Sequence, residues 1–459
     1  MKSQKGLCPL SHLRFRFAKA IKSQRGLCPL FHLRFRFAKA RFMKILAIDT
    51  SCDDTSISVL EVKDKKDKIF PDFKILVNIV SSQIKVHQKY GGVYPSLAKR
   101  EHQRNLPIVL KKALKEAGFE TFNFQFPIFK QIQKSKIPNI NFIAVTIGPG
   151  LDPCLWTGLN FAKSLSIKWN IPIIPVNHIE GHILANFIGE NLKSQTPNFK
   201  QIPSSNDLNP KQIEFPAICL IVSGGHTQLI LMKKIGKGDE DKSSSSPFAV
   251  TWEYKIIGET RDDAAGECFD KTARILGLPY PGGPAIAKEA IKSMINDQLS
   301  VINDQLLISL PRPMINSKNY DFSFSGLKTA VLYDFKKRPA FAKTPTGKSA
   351  KKPKEKYVRA MAKEIQQSII DVLIKKTFKA VREYKAKTLI LGGGVIANEE
   401  LRGQFEEKIK TINHKLRFLA PQKIFCTDNA GMIAIAGYFN REKATKKLEE
   451  INTQPNLRL

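Results

Sequence analysis

The chain of 459 residues has no closely spaced cysteine pair and no apolar run approaching 18 residues. Its seven cysteines (Cys8, Cys28, Cys52, Cys154, Cys219, Cys268 and Cys426) form no C-x-x-C motif. That excludes a disulfide-stapled secreted scaffold and fits a reducing cytoplasm. Nothing is long enough to cross a membrane as an apolar helix. Acidic residues are scarce too: 41 Asp and Glu stand against 74 Lys and Arg, a net charge of +33. Such a surplus predicts a polyanionic partner such as RNA, because neutralised phosphates release counterions and dominate affinity. A Lys-rich habit of the loops is the plainer alternative. The apolar fraction of 42% is that of a globular protein, and the length predicts two or three domains.

Acid is missing altogether from the first 42 residues, which hold eleven Lys or Arg. There Lys2–Ala20 recurs as Lys22–Ala40 with only two changes, at Lys5/Arg25 and Ser11/Phe31. An Arg-rich, acid-free start imitates a transit peptide. Two near-identical copies read instead as a duplicated, non-native extension, with Met43 as the expected true start. Residues 191–214, 234–247 and the basic loop 336–356 read as insertions. The rest divides into an expected first lobe at 43–190, a second at 215–425, and a helix at 426–445 returning to the first.

The organising stretch is Asn177-His178-Ile179-Glu180-Gly181-His182, between an apolar strand-like run (171–176) and a helical pattern. On a helix the two histidines share one face, about 5–6 Å apart at Cβ, close enough to bind one metal ion. A strand feeding a helix puts them at the carboxyl edge of a sheet, where α/β folds hold ligands. A metalloprotease would need H-E-x-x-H; Glu180 stands one position too late. Most His-x-x-x-His pairs are merely core or surface, so the surroundings decide.

Two strand–turn–strand units surround that stretch. Lys44–Ile48 runs into the polar turn 49–55, which carries Asp49, Asp53 and Asp54, and returns at Ser56–Leu60. Ala217–Val222 runs into Ser223-Gly224-Gly225-His226-Thr227 and returns at Gln228–Met232. Glycine pairs let backbone approach a phosphate closely. The repetition predicts a duplicated architecture with a nucleotide between two lobes. A third strand, Thr388–Leu391, leads through Gly392-Gly393-Gly394 and Asn398 into a helix at 399–408, an arrangement suited to adenosine or phosphate. Residues 260–277 read as one helix, with Asp263, Glu267 and Asp270 in an acidic stripe that wants a cation, a ribose or water. Tyr90–Pro95 reads as a turn before a basic helix. Asp428 opens a small-residue helix, either as its cap or as a third metal ligand.

Nine motifs then fall in order: DTSCDDTS (49–56), YGGVYPSLAKREH (90–102), GPGL (148–151), NHIEGH (177–182), VSGGHTQL (222–229), DDAAGECFDKTARILGLPYPGGP (262–284), DFSFSGLK (321–328), GGGVIAN (392–398) and CTDNAGM (426–432). On these the chain from Met43 to about residue 445 resembles the bacterial tRNA N6-adenosine threonylcarbamoyltransferase family, once described as O-sialoglycoprotein endopeptidase. The resemblance implies an α/β, two-lobe actin/Hsp70-like (ASKHA) fold with duplicated β-hairpin phosphate loops. It implies one divalent metal, Fe(II) rather than Zn(II), on His178, His182 and Asp428. It also implies a substrate site at Ile221, Val222, Ser223, Gly224, Gly225, Asp270, Gly283 and Asn398. The implied reaction moves a threonylcarbamoyl group from threonylcarbamoyl-AMP to N6 of adenosine 37 in tRNAs reading A-starting codons. Asp53 or Asp54 is the expected proton acceptor. Expected partners are tRNA, a paralogous two-lobe protein and a small ATPase, in the cytoplasm and off the membrane. The chain departs from the family's pattern at Asp49 and Asp54, where Glu is frequent, and at Asn177, where His is common. An actin-fold small-molecule kinase and an inactive tRNA-binding scaffold are the competing classes; neither needs the intact His–His–Asp set.

Overall fold

The duplicated hairpins seed two sheets with one plan. In the computed structural model, which describes residues 42–63, 71–119, 138–188, 213–235, 252–299, 308–337, 355–412 and 415–459, strand β1 (Met43–Asp49) pairs antiparallel with β2 (Asp54–Lys63). Strand β3 (Asp72–Ser82) continues antiparallel. Helix α1 (Pro95–Glu116) crosses to β4 (Phe142–Gly148), parallel to β1, and α2 (Asp152–Trp169) crosses to β5 (Ile173–Asn177). Helix α3 (His178–Leu184) follows directly. The second sheet opens with β6 (Ala217–Val222), β7 (Thr227–Lys234) and β8 (Trp252–Glu259), again antiparallel. Helices α4 (Ala265–Ile275), α5 (Gly282–Leu299), α6 (Ser325–Lys337) and α7 (Glu355–Glu383) precede β9 (Thr388–Gly392), parallel to β6. Helix α8 (Glu399–Ile412), strand β10 (Arg417–Leu419) and helix α9 (Ala430–Phe439) complete the order.

The sheet orders are β3-β2-β1-β4-β5 and β8-β7-β6-β9-β10, so each strand has a counterpart of the same direction in the other sheet. This is the duplicated α/β plan of the expected two-lobe actin/Hsp70-like fold. The central strands β1 and β6 are covered on both faces, which is why both are continuous apolar runs rather than alternating ones. The extension at 1–41 lies outside the described residues, as do the three insertions apart from their edges.

Two helices join the sheets. Ile179 and Ile183 of α3, four residues apart, pack with Ile221, Ile230 and Ile390 of the second sheet, while Leu184 joins the cluster of the first. Each fully buried Ile contributes about 1.5–3 kcal/mol, so the short helix is held by its two sides rather than by its own hydrogen bonds. Helix α9, distant in sequence, lays Met432, Ile433 and Ala436 on Ile45, Ala47 and Ile174 of the first sheet. Gly181 lets it approach, since a Cβ there would lie 2.9 Å from Ile433 Cδ1.

Two expectations change. The helix expected over 260–277 starts only at Ala265. Upstream, the Asp262 carboxylate is committed to Phe324 N at 2.8 Å and to the Ser323 and Ser325 hydroxyls at 2.6 Å, which pins the chain to the start of α6. Asp263 therefore precedes the helix, and Lys271 neutralises it and Glu267 at 2.7 and 2.8 Å, so no acidic stripe awaits a cation. Asp428 is not a helix cap: Asn429 caps α9 by accepting from Met432 N at 3.1 Å.

Candidate active site

The carboxyl end of β5 delivers His178 and His182 to the junction of the sheets. Asn177 Oδ1 caps α3 by accepting from Ile179 N at 2.8 Å and Glu180 N at 3.3 Å, which fixes the first turn on which His178 stands. Its Nδ2 donates to Arg458 O at 3.2 Å. Replacing Asn177 by Ala is expected to lower unfolding stability by about 1 kcal/mol, the usual worth of such a cap. A denaturant midpoint shift measures it; an unchanged midpoint would mean that packing alone holds α3.

Asp428 arrives from the opposite direction. The first amides of α9 donate to Ser56 Oγ at 2.7 Å and Asn78 Oδ1 at 3.1 Å, both in the first sheet, and so set Asp428 over the histidines. Its Oδ1 lies 3.4 Å from His178 Nε2 and 3.3 Å from His182 Nε2. Ligand atoms about 2.1 Å from a tetrahedral ion would stand roughly 3.4 Å from one another. One donor atom from each of the three residues lies within 4.8 Å of the others. His182 is fully buried, yet neither ring nitrogen has a hydrogen-bond partner; His178 Nδ1 also lacks one. Buried polar atoms left so are costly, and a cation between the rings and Asp428 would satisfy His182 Nε2. The donor set therefore fits a divalent metal.

The electrostatics agree. Burial pulls His178 down, but Asp428 and Asp49 outweigh it and push the imidazole up to about 10. Burial raises Asp428, yet His178 and His182 hold its carboxyl well below the usual range. Burial, reinforced by the charge of His178, lowers His182. The carboxylates of Asp428 and Asp49 thus favour positive charge at His178. Asp49 Oδ2 approaches His178 Nδ1 at 3.7 Å and Ser51 Oγ approaches Asp428 Oδ2 at 3.4 Å, positions from which they orient the His178 ring and the Asp428 carboxylate. Glu180 faces away, accepting from Asn440 Nδ2 at 2.8 Å, so it is no protease base.

The second lobe supplies a glycine cradle. A Cβ on Gly224, Gly225 or Gly283 would meet nothing within 4 Å, so all three face open space. A Cβ on Gly266 would lie 2.5 Å from Ser223 O, and one on Gly393, at φ +96°, 2.4 Å from Val222 O. These glycines let α4 and the end of β9 close on the turn from below. Gly392 does the same for α3, since a Cβ there would lie 2.7 Å from His182 O. Ile221 and Val222 are fully buried, so they support the turn from beneath while Ser223, Gly224 and Gly225 carry its exposed surface. Asp270 accepts from Gly282 N at 2.6 Å, and burial pushes it up to about 6. Asn398 is largely committed: Oδ1 caps α8 at Leu401 N, 3.0 Å, and Nδ2 donates to Gln366 at 2.9 Å.

The acidic loop meets the cleft as well. Burial raises Asp53, and so does the nearby Asp428; Asp53 in turn raises Asp270 across the cleft. Burial pushes Asp54 up to about 7, against the Ser82 hydroxyl and with help from Asp53. Its Oδ1 is buried without a partner.

A family model described as TsaD, tRNA N6-adenosine threonylcarbamoyltransferase, matches residues 74–201 and 199–435. A protein named tRNA N6-adenosine threonylcarbamoyltransferase from Thermosipho africanus is 40% identical over 417 residues, covering 91% of this chain and 100% of its own. The protein of that name from Bacillus subtilis is 37% identical, covering 91% and 96%. The chain belongs to this family. Among solved structures, HypF from T. kodakarensis overlays with a TM-score of 0.43 at 11% identity, covering 87% of this chain and 48% of that one.

In this family member three residues have places that the motifs alone do not announce. His102, which the sequence puts on a basic helix face, is buried and holds the acidic loop, its Nε2 3.0 Å from Cys52 O and its Nδ1 2.8 Å from Thr55 Oγ1. His226 is locked to the glycine turn, its N donating to Ser223 Oγ at 3.1 Å. Burial, with the charges of His178 and His182, pulls it down to about 4. Asp49 is the third. Its position at the start of the polar turn between β1 and β2 is the one local signal for its place beside His178.

Proposed function

We propose that the chain transfers the threonylcarbamoyl group of threonylcarbamoyl-AMP to N6 of adenosine 37 in tRNAs reading A-starting codons, releasing AMP. The observation that carries the reading is the His178–His182–Asp428 triad, whose buried ring nitrogens lack partners, at the lobe junction shared with an open glycine turn. A two-histidine, one-carboxylate set with open positions suits non-haem Fe(II) and catalytic Zn(II) alike, and the family resemblance is what favours iron. When bound, the metal supplies Lewis acidity to the carbonyl under attack.

The chain's own residues do the rest. Ser223 N already donates to His226 O at 2.8 Å, so the backbone N–H groups of Gly224 and Gly225 take the adenylate phosphate, and Asp270 takes its ribose. The target base is presented out of its stack. N6 attacks the carbonyl carbon, a C–N bond forms, and the bond from that carbon to the phosphate oxygen breaks with its electron pair leaving on AMP. The N6 proton passes to Asp54, with Asp53 as the alternative acceptor. Among the described residues no helix is long and apolar enough to cross a membrane. We place the reaction in the cytoplasm, beside a paralogous two-lobe protein and a small ATPase as partners.

The test is a transfer assay with the full chain, those partner proteins, threonylcarbamoyl-AMP and tRNA, read by mass spectrometry of the digested nucleosides. Threonylcarbamoyladenosine is the expected product. Phosphate transfer from ATP to a small molecule, with no modified adenosine, would overturn the reading in favour of a kinase.

A further inference from the structure

Tyr90 and Tyr94 form a surface feature that the chemistry above leaves unused. Their rings stack with centres 5.9 Å apart and planes at 27°, yet each residue is 55% exposed. Lys89 Nζ stands 5.7 Å from the Tyr90 ring centre. One turn into α1, Lys99 Nζ lies 5.3 Å over the ring of Trp156, which is 51% exposed. Three large aromatics kept in water beside cations mark a binding surface. Residues 84–104 carry five Lys or Arg and one acid, Glu101.

The shelf is rigid at its root. Tyr94 N donates to His87 Nδ1 at 3.3 Å, and Arg274 of the second lobe donates to Gly91 O. Gly91 takes a left-handed φ of +66°, and a Cβ there would lie 3.0 Å from the Arg274 guanidinium, so glycine lets the turn close against the other lobe. Just before the turn, Gln83 N donates to Asp53 O at 3.2 Å, which ties the shelf to the acidic loop of the active site. Protein interfaces share the enrichment in Tyr and Trp but are depleted of Lys, whereas lysines flank these rings. Flat exposed rings flanked by ammonium groups match the stacked bases and phosphates of single-stranded nucleic acid.

We infer that Tyr90, Tyr94 and Trp156, with Lys89 and Lys99, are the stacking platform that receives unpaired anticodon-loop nucleotides of the tRNA. This rests on the threonylcarbamoylation reading and adds where the loop docks. The rings grip bases next to the target while their lysines hold the adjoining phosphates.

The experiment uses the full chain and its Tyr90→Ala/Tyr94→Ala and Tyr90→Phe/Tyr94→Phe forms. Fluorescence anisotropy follows binding of an anticodon stem-loop and of a blunt RNA duplex of equal charge; the transfer assay gives KM and kcat. With alanines, stem-loop affinity should fall and KM for tRNA should rise about 10–100-fold, the cost of losing stacking on one or two bases. Duplex affinity should change less than twofold, and the phenylalanine form should behave as wild type. Unchanged stem-loop affinity, an equal loss on the duplex, or a loss appearing only when partner proteins are added would overturn the platform. Wild-type chain that binds the stem-loop without modifying tRNA would overturn the transferase reading and leave the platform standing.

Discussion

His182→Ala is expected to strip the chain of its metal and to slow transfer by about a thousandfold, the several kcal/mol that Lewis-acid stabilisation supplies to a transition state. His182 is fully buried and makes no well-aligned hydrogen bond among the described residues, with Asp428 Oδ1 3.3 Å from its Nε2. Its loss should therefore empty the centre without disturbing the neighbouring turns. Elemental analysis of the purified protein reads metal content, and circular dichroism confirms the fold. Asp49→Asn provides the graded companion. Asp49 faces His178 Nδ1 at 3.7 Å rather than joining the ligands, so metal affinity should fall about 10–100-fold and return with added metal. A His182→Ala protein that keeps both its metal and its rate would remove the triad from the chemistry.

Sequence reveals most where one residue pattern has one physical solution. Two apolar runs followed by polar or glycine turns predict both hairpins, because a strand buried on both faces has no other sequence form. The four-residue spacing of His178 and His182 is enough by itself to put them on one face of a helix. What stays hidden depends on long-range packing. The return of the helix at 426–445 to the first lobe is expected, but nothing local in residues 430–439 shows that Ser56 and Asn78 hold its amino end, the docking that brings Asp428 to the histidines. The stripe of Asp263, Glu267 and Asp270 fails as a helical reading because Asp262, two residues before Ala264, is claimed by Phe324 and Ser325 from about sixty residues away. His102 departs from expectation for the same reason. On a basic helix it counts as surface, whereas β2 and the acidic loop bury it. Periodicity reports which face of an element is apolar, not what arrives to cover the polar one.

Asp54→Asn is expected to lower kcat by about 10²–10⁴-fold, the range over which a positioned base speeds a proton transfer. Burial raises Asp54 to about 7, so wild-type kcat should climb with pH through a midpoint near 7 and level off above it, because only the carboxylate accepts the N6 proton. Asp53 is one of the charges that raise Asp54, so Asp53→Asn should move that midpoint down while leaving a substantial rate. Stability should run the other way. A carboxyl raised in the folded state contributes stability below its unfolded pKa of about 4 and loses it as pH climbs through 7. Asp54→Asn, which cannot ionise, should therefore melt above wild type at pH 8, and the advantage should vanish by pH 4. A base kept ready by burial is paid for in the fold, and one substitution should expose both sides. A variant that keeps its rate and a flat wild-type profile between pH 6 and 8.5 would hand the proton to the adenylate phosphate instead.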